Sequence, residues 1–103
     1  MGSIKKMSKG IKVKLDKKRH LLITTDAIAA YERITGKQLV ARSTIVNFSI
    51  RDLVVFVWAC LLHEDSKLTL DEVAEMIKLQ INWDSLIAGI QKAWDAYGKE
   101  LEK

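Results

Sequence analysis

Ten consecutive apolar residues, Leu53 to Leu62, decide most of what this chain can fold into. The run is about half of the ~20 residues needed to cross a bilayer, and Arg51 and Asp52 stand directly before it. Ile50, Leu53, Val54, Val57, Trp58, Leu61 and Leu62 fall at helical spacing, while Val55, Phe56, Ala59 and Cys60 occupy the opposite face. Valine-rich segments also suit strands, but the length of this one favours a helix. A helix that is apolar all round is either buried on every side or buried on one side and docked on the other. It is therefore the expected centre of the fold. Ser49 with Asp52 three residues later gives it a start resembling a capping box, and His63-Glu64-Asp65-Ser66 ends it.

The other elements can be read around that centre. The chain has 103 residues and a mass of 11.7 kDa, enough for one core. With 49% apolar and 29% charged residues it has the balance of a globular domain, and the absence of proline favours helices over a turn-rich sandwich. Ile11, Val13 and Leu15 alternate with Lys12 and Lys14, as in a half-buried strand. Asp16-Lys17-Lys18 offers a turn, and Leu21, Leu22 and Ile23 a second strand, so residues 11–24 read as a β-hairpin. A helix is expected from Thr25 or Asp26, with Ala27, Ile28, Tyr31 and Ile34 inward and Gly36 at its end. The stretch from Lys37 to Phe48 reads as irregular connection. Thr69 and Glu72 make a capping box for a helix burying Leu70, Val73, Ala74 and Ile77. A last helix, capped by Asn82 or Asp84, would align Trp83, Leu86, Ile87, Ile90, Trp94 and Tyr97. The expected fold class is mainly α (α+β): a short N-terminal hairpin, then about four helices around the central apolar one. Residues 1–10 read as a flexible basic leader, 11–98 as one domain and 99–103 as a frayed polar tail.

Charge is unevenly placed. The net charge of +4 divides into +7 for residues 1–20 and −3 for the remainder. Lys5, Lys6, Lys9, Lys12, Lys14, Lys17, Lys18 and Arg19 form a candidate electrostatic arm for phosphate backbones or an acidic partner. No aromatic residue interleaves them, so base stacking is not indicated. The opening residues lack the apolar stretch of a secretory signal, and one cysteine allows no internal disulfide, which suits a reducing cytoplasm.

A constellation for chemistry is hard to assemble. His20 and His63 have no neighbours at metal-ligand spacing, and Cys60 sits among apolar residues that make a thiol inert. The glycines do not form a phosphate loop. No catalytic residue, metal or cofactor is expected. Leu68 to Glu75 resembles the opening of a helix-turn-helix, but Lys78 stands where a turn glycine is usual and Asp84 where an aliphatic residue packs inward. The following helix sets Asp84 and Asp95 against Lys92, a poor balance for a DNA groove. What remains is apolar bulk beyond the needs of four short elements. Phe48, Phe56, Trp58 and Trp94 are the candidate residues for docking a partner helix or a sister subunit.

The order of signals resembles a known family. A basic hairpin leads into Thr24-Thr25-Asp26-Ala27-Ile28-Ala29-Ala30-Tyr31-Glu32-Arg33-Ile34-Thr35-Gly36-Lys37. Then come the apolar helix from Asp52 to Leu62, the element Leu68-Thr69-Leu70-Asp71-Glu72-Val73, and a closing helix ending Ala93-Trp94-Asp95-Ala96-Tyr97-Gly98. Over residues 11–98 this is similar to the tail assembly chaperones of long-tailed phages, including the branch related to small tail proteins of gene transfer agents. The resemblance implies a non-enzymatic protein in the cytoplasm of an infected or lysogenic bacterium. It implies a tape measure protein as client, kept soluble until tail-tube protein replaces the chaperone, and self-association into homo-oligomers. The alternative is a small nucleic-acid-associated protein that uses the basic arm.

Overall fold

The computed structural model describes residues 10–39, 48–79 and 83–101. Its elements in chain order are β1 (Ile11–Lys14), β2 (Lys18–Leu21), α1 (Thr25–Thr35), α2 (Ile50–Leu61), α3 (Leu70–Lys78) and α4 (Trp83–Leu101). This is the mainly helical fold with an N-terminal hairpin that the sequence leads one to expect. The leader residues 1–9 and most of the connection before Phe48 lie outside the described residues.

The hairpin is antiparallel and pairs Ile11 with Leu21, Lys12 with His20, Val13 with Arg19 and Lys14 with Lys18. Alternation sends Val13 and Leu21 into the core and leaves Lys12, Lys14 and Lys18 exposed. The second strand lies earlier than Leu21–Ile23, the span expected from hydropathy. The reason is Arg19, whose guanidinium forks onto Asp16 through two bonds of 2.8 Å. That pair closes the turn, so pairing resumes at Lys18, and a charged residue takes an inward position hydropathy assigns to an aliphatic one.

Helix α1 begins where the Thr24 side chain accepts the Ala27 N–H at 3.0 Å. It ends at Gly36, whose φ of 72° is left-handed and whose N–H donates to the Glu32 carbonyl at 2.8 Å. Ala27, Ala30 and Tyr31 are buried, whereas Ile34, expected inward, is 40% exposed. Helix α2 begins with the Asp52 N–H donating to the Ser49 hydroxyl at 3.1 Å. It is buried around most of its circumference, since α1, α3 and β2 all pack against it. The hairpin is fastened to its end. The Leu22 N–H donates to the Cys60 carbonyl at 3.1 Å, and the His63 ring bonds the His20 carbonyl at 2.7 Å. Glu64 accepts the His20 backbone N–H at 2.9 Å and also meets the His20 ring.

The predicted capping box of α3 is present. Thr69 accepts the Glu72 N–H at 3.1 Å and Glu72 accepts the Thr69 N–H at 2.9 Å. Met76 joins Val73 and Ile77 on the buried side. Helix α4 buries Leu86 and Ile90 of its expected stripe, together with Ala93, and packs Ile87, Trp94 and Tyr97 against the core; Trp83, expected in the same stripe, is 37% exposed. The helix also continues to Leu101, through the polar stretch expected to fray. It packs chiefly on the hairpin. Gly89 makes that approach close, because a Cβ there would lie 2.6 Å from Val13 Cγ1.

Candidate functional site

The aromatic residues singled out from the sequence belong to the interior more than to a surface. Phe56 is 1% exposed, within an aromatic group where its ring lies 6.0 Å from Tyr31 and 5.3 Å from Phe48. Phe48 is half-buried and 5.4 Å from Tyr31. This corrects the expectation for Phe56: a sealed ring cannot dock a partner without unfolding its surroundings. Trp58 is half-buried and its indole N–H donates to the Leu68 carbonyl at 2.9 Å, tying α2 to the start of α3. Trp94 is half-buried, 5.8 Å from Tyr97 on the next turn of α4. The four residues do not converge on one site.

Polar groups on the α1–α2 flank are mostly paired. Asp52 is 6% exposed and accepts from the Lys37 ammonium at 2.9 Å. That bond, with help from Ser49, holds its carboxyl below the ordinary 3.8. The Tyr31 hydroxyl is the exception, buried with no hydrogen-bond partner among the described residues. Burial, and then the charge of Asp52, push its pKa up. Cys60 is fully buried, and desolvation pushes its thiol far above the ordinary value, where it is a poor nucleophile.

The basic arm divides in the same way. Lys5, Lys6 and Lys9 lie outside the described residues, and Lys12, Lys14, Lys17 and Lys18 are exposed. Arg19 does not belong with them. It is 5% exposed, held by Asp16 and 3.7 Å from Asp65. Its fork in turn keeps the Asp16 carboxyl below its usual range. A guanidinium so engaged is structural, and the arm loses one cation to the fold.

An open feature among the described residues lies elsewhere. A half-open groove of about 1000 Å³ runs between the hairpin, the loop after α2, α3 and the first turn of α4. Val13, Leu15, Leu68, Met76 and Leu86 give it an apolar floor, and Leu79, 75% exposed, stands at its mouth. Lys12, Lys14 and Lys18 edge it on the hairpin side, Glu72 and Glu75 on the α3 side. One rim thus carries lysines and the other carboxylates, Glu72 also accepting in the α3 capping box and Glu75 lying 3.6 Å from Lys78, with Arg19, Asp16 and Asp65 locked together between the rims. The volume is at the top of the ~300–1000 Å³ range of small-molecule pockets, and an open apolar trough of this kind suits a row of side chains. Sequence reasoning missed it by ranking residues on aromatic size. The available signal was the pairing of an alternating-lysine strand with the acidic face of α3.

Among the described residues no group of three or more His, Cys, Asp or Glu is placed to hold a metal. No helix among them is long and apolar enough to cross a membrane. No family model matches the chain, and no curated protein or solved structure gives a significant match to it.

Proposed function

We propose that this protein is a non-enzymatic assembly chaperone of the phage tail type, which covers apolar helical surface on a tape measure protein and keeps it soluble until tail-tube subunits replace it. The observation that carries the reading is the groove, with its apolar floor, its charged edges and Leu79 exposed at its mouth; Trp83 leaves further apolar surface exposed. A trough with apolar floor and polar rim is the usual receptor for an amphipathic helix. Each contact would be modest, so that a long client is covered by many copies and then released. The order of elements, from basic hairpin through apolar helix to closing helix, is the pattern on which the resemblance to these chaperones rests.

The test is to look for a tape measure gene in the gene's neighbourhood and to co-express its product with this protein. The expected result is a client that moves from the insoluble to the soluble fraction and co-purifies with this protein in 0.5 M salt, where the Debye length falls to roughly 4 Å and exposed ion pairs are weakened. A client equally insoluble with and without the protein overturns the reading. So does a gene neighbourhood with no tape measure gene.

A further inference from the structure

The two rims of the groove differ in sign, and that difference specifies an occupant. We propose that the groove between the hairpin and α3 takes an amphipathic helix of another chain, its apolar stripe on Leu15 and Leu79 over the floor of Val13, Leu68 and Met76, with an acidic flank against Lys12 and Lys18 and a basic flank against Glu72 and Glu75. This deepens the function proposed above, and rests on it for the occupant being a protein helix.

The argument is one of charge complementarity. Lys12 and Lys18 are exposed on the hairpin, on neighbouring strands, and Glu75 is exposed on α3. Both sets line the groove, one on the hairpin and the other on α3. A helix about 10–12 Å across, lying in the trough, brings its two flanks to the two rims at once. A helix acidic on both flanks meets repulsion from Glu72 and Glu75, and one basic on both flanks meets it from the lysines. An unflanked apolar segment would gain nothing from either rim. Nucleic acid fits poorly, since half of the edge is anionic and the most buried cation, Arg19, is already engaged.

The experiment uses the full chain and three designed helical peptides sharing one apolar stripe. The first carries Glu on one flank and Lys on the other, the second Glu on both, the third Lys on both. Binding is followed at low salt by anisotropy of a dye on each peptide. The first peptide is expected to bind about tenfold more tightly than either of the others, a few exposed charge pairs being worth that much, and its advantage is expected to collapse in 1 M salt. In K12E/K18E, which makes both rims anionic, the peptide with Lys on both flanks becomes the tightest. Equal binding of all three peptides to the wild-type chain overturns the inference, as does an unchanged order in a folded K12E/K18E. If the double variant fails to fold, the wild-type series still decides. Loss of peptide selectivity with client solubilisation intact removes the groove and leaves the chaperone reading. Selectivity intact with no solubilisation does the reverse.

Discussion

The two flanks of the molecule are finished in opposite ways. Toward α1, Tyr31, Phe48 and Phe56 lie against one another with centroids 5.3–6.0 Å apart, and Phe56 is sealed. Toward the hairpin and α3, aliphatic side chains stop short of closure and leave a groove of about 1000 Å³. The central helix is closed in on both sides, and the open side of the molecule is bordered by the hairpin, α3 and the first turn of α4. The Tyr31, Phe48 and Phe56 rings fill space, whereas the groove is lined by aliphatic side chains and flanked by charge. Residue size is therefore a poor guide to where a partner binds, and incomplete closure is a better one.

That contrast can be broken by paired truncations. Phe56→Ala should cost about 3–5 kcal/mol, because its neighbours cannot collapse into the void. Met76→Ala should stay near ~2 kcal/mol or below, since its side already borders open space and no new closed cavity forms. Urea unfolding of both variants checks this, and equal losses would mean that the groove is no more open than the aromatic flank. The hairpin wall is probed at Gly89. Alanine in a helix ordinarily gains up to about 1 kcal/mol over glycine. Here its Cβ would press on Val13 Cγ1 at 2.6 Å, so Gly89→Ala should be net destabilising by ~1–2 kcal/mol. Combining it with Val13→Ala should give less than the sum of the two losses. A stabilised Gly89→Ala would show that α4 does not lean on the hairpin as described.

The smallest effect belongs to pH. Asp52 in the folded protein titrates below 3.8, chiefly because of the Lys37 bond. A carboxyl depressed on folding contributes stability that is whole above the unfolded value and is lost as pH falls through the folded one. The stability gap between wild type and Asp52→Asn, about 1 kcal/mol at pH 7, should therefore shrink below pH 3.8. Denaturant midpoints between pH 7 and pH 2 measure it. A gap that stays constant means that the ion pair contributes nothing.

Much of the fold was legible because its signals are local. Ser49, Thr69 with Glu72, and the glycine at 36 are capping residues, and each acts within one turn of its own position. The central helix was legible for the same kind of reason, its apolar run being too long for a strand. The misreadings were all tertiary. Arg19 looks like a surface cation until Asp16 and Asp65 are brought to it. The stripe of α4 holds except at Trp83, which stays outward, while Ala93 joins it on the side where Gly89 admits the hairpin. The groove was invisible for a further reason: it is bounded by four separate segments, and no single stretch of sequence carries its shape.

The opposed rims have a consequence for assembly. A helix seated between them has only one way round, because turning it end for end brings like charges face to face. Copies bound along one elongated filament would all point in the same direction. A sideways contact would thereby acquire an arrow, and a decorated filament would tell its head from its tail before anything else was built on it.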